Sequence, residues 1–184
     1  MSYTALDDFI ARMRFRAAYP YINAGSSVCD FGCGLKAAFL DFASDKIAEG
    51  VGVDDQVAAG ALGRWKCLRS DLGSPLPLQA ESFDHVTMLA VLEHLANPEP
   101  VLREAYRVLK PNGTLILTWP AALVDPILNL MHMTRLISSE MESQEHQKRI
   151  PLSNLVALLG AIGFHNHRHH RFELGLNNLL VASK

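Results

Sequence analysis

Cysteine is scarce in this chain: Cys29, Cys33 and Cys67 are all it has. An odd number of thiols with no export signal argues against a disulfide framework and for a reducing cytoplasm. Cys29-x3-Cys33 is not a C-x-x-C pair and no second pair accompanies it, so a structural zinc site is not expected either. Long apolar runs are also missing. None reaches the roughly 18 residues that span a bilayer, so no integral membrane segment is expected. The opening MSYTALDDFIARMRFR carries Asp7 and Asp8 and has no apolar h-region, which excludes a signal peptide. Charge of one sign is lacking too: 17 Lys and Arg face 19 Asp and Glu, a net charge of -2. That balance speaks against a nucleic-acid sleeve held by phosphate contacts, while leaving room for a local patch.

What remains is an ordinary globular composition, 184 residues with 49% hydrophobic and 20% charged. One domain with a full core is the expectation at this length. No internal repeat or low-complexity tract interrupts the chain. Residues 5–19 set Phe9, Met13 and Phe15 among charged residues, the pattern of an amphipathic N-terminal helix. Ser27 to Phe31 reads as a strand running into Gly32-Cys33-Gly34. The spacing of Phe39, Leu40, Ala43 and Ile47 predicts a helix over 36–48, stopped by Gly50.

Further strands follow at Val51–Val53, Trp65–Ser70, Phe83–Leu89 and Thr114–Trp119. Asn97-Pro98 opens a helix that runs to Leu109, and Pro111-Asn112-Gly113 is a turn. Alternating strands and helices over 28–119 predict a doubly wound α/β fold with a mostly parallel sheet. Ligands of such sheets bind beyond the carboxyl ends of the strands.

The residues at those ends therefore matter most. Gly32-x-Gly34-x-x-Ala37 formally satisfies a dinucleotide fingerprint, with Asp54 twenty residues beyond Gly34 to hold ribose hydroxyls. Asp30, two residues before the first glycine, suits a cationic ligand and would repel a pyrophosphate. Asp71, after the third strand, offers an acceptor for an adenine amino group. Together Asp30, Asp54 and Asp71 favour a positively charged adenosyl compound over a dianion. The plainer reading makes them helix caps and solvated loop charges.

VCDFGCG, VGVDD, SDLGSPLPLQAESFDHV, LAVLEHLANP and LREAYRVLKPNGTLIL, taken in order, resemble the motifs of class I S-adenosylmethionine-dependent methyltransferases. The likeness is to the small type 11 group related to ubiquinone and menaquinone methyltransferases. It implies a Rossmann-like seven-stranded sheet with a C-terminal antiparallel hairpin. By that resemblance Asp30, Phe31, Gly32, Cys33 and Gly34 would line the methionine part of S-adenosylmethionine. Asp54 and Asp55 would take the ribose, Asp71 and Leu72 the adenine, and Leu89 and Ala90 the opposite flank.

Three positions depart from the pattern, the mildest being Asn112, where LKPNG replaces the commoner LKPGG and Asn tolerates a left-handed turn. Lys36 stands where the family carries glycine or a small residue. Ala90 stands where some quinone-pathway relatives carry an acidic residue tied to metal binding, so no metal is expected at Glu93-His94.

Methyl transfer needs a nucleophile held in line near the cofactor, and a base where the nucleophile carries a proton. His94, with Glu93 beside it, follows the fourth strand and is the candidate for that base. The alternative is a loop-positioning histidine and a capping carboxylate. Beyond residue 119 the pattern changes. Ile127 to Met133 is strongly apolar and Ser138 to Arg149 polar, which fits either a substrate cover or one more core helix. The same apolar stretch over 120–137 could bury itself against a second copy in a homodimer.

Residues 151–184 predict a helix and a final hairpin. Alternating His165, His167 and His169, with His170, would share a strand face as a solvated edge or a patch that charges below about pH 6.5.

The expectation is thus one domain. It comprises an N-terminal helix (1–24), a cofactor-binding core (25–119), a cover (120–150) and a helix with hairpin (151–184). It would bind S-adenosylmethionine and methylate a small molecule of lipid, quinone or glycan type, and not a nucleic acid. A catalytically silent cofactor-binding partner protein and an NAD-binding oxidoreductase are the alternatives.

Overall fold

The computed structural model describes residues 5–121 and 150–184. Its centre is one eight-stranded sheet in the order β3-β4-β2-β1-β5-β6-β8-β7. The strands are β1 (Ser26–Phe31), β2 (Ile47–Asp54), β3 (Gly60–Leu62), β4 (Trp65–Arg69), β5 (Phe83–Leu89), β6 (Leu109–Pro120), β7 (His165–Phe172) and β8 (Asn177–Ser183). β4, β2, β1, β5 and β6 run parallel. β8 returns antiparallel to β6, and β7 antiparallel to β8, which is the expected terminal hairpin. From β1 the chain winds outward through β2 to β4 and then crosses back to β5. Strand order therefore reverses beside β1, the switch point beyond whose carboxyl ends sheets of this kind bind their ligands.

Helices cover both faces. α3 (Glu99–Val108) and α4 (Leu152–Ile162) close one, burying Val101, Leu102, Ala105, Leu155 and Leu159 on Met88, Leu115, Leu117 and Leu180. α1 (Ala5–Ala18) and α2 (Ala38–Phe42) close the other, where Ala18, Phe39 and Leu40 meet Val28, Ile116 and Leu179. β1 is buried along its whole length, as a central strand covered on both faces must be.

Several boundaries differ from the sequence reading. The helix expected over 36–48 shrinks to Ala38–Phe42, because Ala37 takes a left-handed φ of 46° and Ile47 to Gly50 already belong to β2. Gly50 is a strand residue, not a stop: a Cβ there would lie 2.5 Å from the Trp65 ring. The Pro111–Gly113 turn is absorbed into β6 as an irregularity, with Asn112 at φ 64°. β3 is an eighth strand the pattern did not announce, a three-residue partner of β4 across a tight turn at Gly63-Arg64. An irregularity after His165, with Asn166 at φ 52°, breaks the histidine alternation in β7. The cover expected over 120–150 lies outside the described residues except at its ends.

The amino ends of three strands are tied together by charge. Asp84 Oδ2 accepts from Ser27 N at 2.9 Å and from Ser27 Oγ at 2.7 Å. Lys110 Nζ donates to Asp84 at 2.9 Å. Burial pushes the Asp84 pKa up, but these donors outweigh it and hold the group at about 2.

Candidate active site

β1 delivers Asp30 to the carboxyl edge of the sheet, only 3% exposed. Register places it beside Thr87 of β5, whose hydroxyl donates to Asp30 Oδ1 at 2.6 Å. Burial raises its pKa to about 7; the Thr87 bond opposes this and the nearby Asp54 charge adds to it. The site thus contains a carboxyl group poised between its neutral and charged forms near neutral pH.

After Phe31 the backbone turns through Gly32 and Gly34, both at positive φ (75° and 66°). Gly32 N donates to Val53 O at 2.7 Å, tying the turn to β2. A Cβ on Gly32 would stand 2.4 Å from Val91, so this glycine is required by packing. A Cβ on Gly34 would meet nothing within 4 Å, so that one faces open space. Asp54, ending β2, completes the turn. Its Oδ2 accepts from Gly34 N and its Oδ1 from Gln56 N, each at 2.8 Å. Each carboxylate oxygen keeps a second lone pair.

The structure brings Asp30, Gly32, Gly34 and Asp54 into one cradle. Phe31 and Cys33 support it from the core: Phe31 is fully buried, and burial pushes the Cys33 thiol pKa well up. Asp55 is exposed beside Asp54, and its carbonyl accepts from Arg69 Nε. Asp71 follows β4, two strands from β1. Its Oδ1 accepts from Gly73 N at 2.5 Å, so it shapes its own turn while remaining exposed. Leu72 packs half-buried on the core. Leu89 ends β5 half-buried, and Ala90 turns the chain at a left-handed φ of 60°, costly for a residue with a Cβ.

Glu93 and His94 lie in a single turn, Leu92–His94, directly after β5. Desolvation and the Arg14 charge lower the His94 pKa, which favours the neutral ring, in a residue that is itself exposed on the rim. Arg14 comes from α1, and sequence spacing gave no sign that this helix reaches the strand ends. Thr87 was equally invisible, since only register sets it against Asp30. On the same rim Asn177 donates to Glu173. Among the described residues no three His, Cys, Asp or Glu side chains converge as metal ligands.

Residues 3–169 match the family described as "Methyltransferase domain". The chain belongs to this methyltransferase family. Its cofactor is S-adenosylmethionine. A demethylmenaquinone methyltransferase of Tropheryma whipplei (strain Twist) is 27% identical over 174 residues, covering 84% of this chain and 72% of that protein. A probable S-adenosylmethionine-dependent methyltransferase of Mycolicibacterium smegmatis is 30% identical over 127 residues, covering 64% of this chain and 49% of its own. Among solved structures, a SAM-dependent methyltransferase from Archaeoglobus fulgidus superposes with a TM-score of 0.71 at 18% identity, covering 96% of this chain and 94% of that one. One from Thermotoga maritima, titled as a possible histamine N-methyltransferase, gives 0.71 at 18% identity, covering 96% and 90%. At that identity the likeness speaks for the fold.

The cradle suits the methyltransferase cofactor. It offers a buried carboxyl for an ammonium, open space at Gly34 for close approach of the backbone, and spare lone pairs on Asp54 for ribose hydroxyls.

Proposed function

We propose that the protein methylates a small-molecule acceptor seated beside His94, with the cradle between β1 and β2 holding the cofactor. The observation that carries this is Asp30, a buried carboxyl at the glycine turn where a cation can be held. When bound, S-adenosylmethionine supplies an electrophilic methyl group on a cationic sulfur. Asp30 would hold the ammonium of its methionine part, with the Phe31–Gly34 backbone alongside. Asp54, with Asp55, would hold the ribose. Asp71 and Leu72 would border the adenine, and Leu89 and Ala90 would close the other side.

His94 takes the acceptor's proton. Desolvation and Arg14 both favour the neutral ring, which leaves a nitrogen lone pair free to accept at neutral pH. Glu93, on the same turn, orients that ring or the acceptor. Similarity to demethylmenaquinone methyltransferases favours a quinone-like or lipid-linked acceptor over a nucleic acid. The domain division follows this assignment, with 25–119 as the cofactor half.

Thermal unfolding with S-adenosylhomocysteine and, separately, NAD tests the cradle. A ligand present at a hundred times its Kd adds about 2.7 kcal/mol. For a chain of this length that is a rise of roughly 5–10 °C in Tm. The rise is expected with S-adenosylhomocysteine alone, and a rise with NAD alone overturns the assignment. Release of S-adenosylhomocysteine in the presence of quinone acceptors then reads transfer. His94→Ala is expected to slow turnover about 10²–10⁴-fold while leaving cofactor affinity nearly intact. Equal losses in both would remove His94 from the base role.

A further inference from the structure

The described residues leave three large apolar side chains exposed: Phe9, Leu35 and Leu174. Leu35 and Leu174 lie at the carboxyl end of the sheet. Leu35 belongs to the glycine turn of the cradle. Leu174 sits between β7 and β8, in the turn that leads back from the β7 carboxyl end. α1 runs towards the opposite end, where Asn23 N donates to His85 at the start of β5. Arg14 lies near enough to His94 and Glu173 to shift both, so α1 starts on the carboxyl side of the sheet, with Phe9 roughly 7 Å before Arg14 along the axis.

Leu174 is fully exposed at 103% and holds a left-handed φ of 55°, a conformation a branched side chain adopts only under constraint. The constraint is visible. Leu176 N donates to Glu173 O at 3.0 Å, Ala121 N to Leu176 O at 2.7 Å, and Asn177 to Glu173. The turn is built to present the leucine rather than to hide it.

The flank beside it is basic. β7 reads HNHRHHRF, with Arg168 and Arg171 exposed and no acid in the strand. Among the described residues no carboxylate forms an ion pair with either arginine. The ring of His170 stands 6.1 Å from Tyr21, which joins this strand to the segment after α1, and Arg12 and Arg16 are exposed on α1 itself. The acids on this side are Asp7 and Asp8, just before Phe9 on α1, Glu93 on the His94 turn, and Glu173, which is engaged by Asn177; Arg12, Arg16, Arg168 and Arg171 are the exposed cations against them.

Arginines flanking protruding apolar side chains match a surface that is anionic outside and apolar beneath. A nucleic acid would use the arginines and leave Leu174 and Phe9 in water. A second copy would need about 800 Å² of buried surface per partner, far more than two side chains supply. We propose that the α1 and β7–β8 flank of the site docks on an anionic lipid surface, with Leu174 and Phe9 entering the head-group layer. The proposal goes beyond the methyltransferase reading and uses it only for purpose, since a lipid-borne acceptor would then arrive at the mouth. Docking itself is read without methyl transfer.

Co-sedimentation of the whole chain with phosphatidylcholine vesicles, with and without phosphatidylglycerol, tests it. Binding is expected only with phosphatidylglycerol. The pair Phe9→Gln and Leu174→Asn should weaken it about tenfold or more, by loss of two inserted side chains. Asn is chosen because it tolerates the left-handed turn. The pair Arg168→Gln and Arg171→Gln should also weaken binding about tenfold or more. Both variants should keep the wild-type Tm and its rise with S-adenosylhomocysteine.

Four results would overturn the proposal. They are no vesicle binding by the wild type, equal binding by the variants, binding to duplex DNA that follows the arginines but not Leu174, and a dimer in sedimentation velocity that Leu174→Asn abolishes. Failure of the S-adenosylhomocysteine shift alongside intact vesicle binding would instead count against the cofactor assignment.

Discussion

At the scale of single residues, Asp30 sets function against stability. Its pKa rises to about 7 on folding, from 3.8. A carboxyl raised in this way contributes its full stability below about pH 4 and loses it as pH climbs through 7. Asp30→Asn should therefore raise the Tm of the ligand-free protein more at about pH 8 than at about pH 5, as read by calorimetry. Binding of a cofactor ammonium needs the ionised form, so affinity for S-adenosylmethionine should increase as pH rises through 7. Asp30→Asn should flatten that profile in titration calorimetry and weaken binding by about tenfold or more.

His85 has the opposite sign. Its Nε2 accepts from Asn23 N at 3.2 Å, so Nδ1 carries the proton shared with Thr114 Oγ1 at 2.5 Å. Burial lowers its pKa from 6.5, with smaller contributions from neighbouring charges. Stability held by the neutral ring is present above about 6.5 and lost as pH falls through the folded value. Asn23 should show the earliest amide exchange on acidification.

At the scale of elements, the two glycines of the cradle make a contrasting pair. Gly32→Ala puts a methyl group into Val91 and should destabilise the fold by about 1–3 kcal/mol, with cofactor binding lost alongside. Gly34→Ala meets open space and carries only the strain of a left-handed residue, about 1–2 kcal/mol. It should still block the cofactor's approach, so most of the Tm should survive while the S-adenosylhomocysteine shift disappears. Gly50→Ala drives into the Trp65 ring, four residues before Asp54 along β2. It should lower Tm and leave affinity in the surviving fold unchanged.

These elements also mark what the sequence could reveal. β5 and the core of β6 were legible because apolar runs covered on both faces leave little ambiguity. The spacing of Phe39, Leu40, Ala43 and Ile47 overstates α2, because Ile47 keeps helical phase by accident and is the first residue of β2. β3 is too short to show any period.

At the scale of the whole molecule, topology carries the site. Asp30, Gly32 and Asp54 could be singled out in the sequence because each ends a strand, and parallel strands bring their carboxyl ends together. Thr87 and Arg14 could not, since their places depend on strand register and on how α1 crosses the sheet. The Asp84 anchor ties β1, β5 and β6 at the far end. Its depressed pKa means that its support is present above about 4 and is lost as pH falls towards 2. Asp84→Asn should therefore reduce Tm at neutral pH and narrow the difference from wild type near pH 2.

The buried thiols give the molecule an internal clock. Cys29, Cys33 and Cys67 are all enclosed, and desolvation leaves each with little thiolate. An alkylating reagent can then react only as fast as the protein breathes. Cys33 rides on the glycine turn while Cys29 lies within β1, so their labelling rates report loop opening and global unfolding separately. An occupied cradle should slow the first far more than the second.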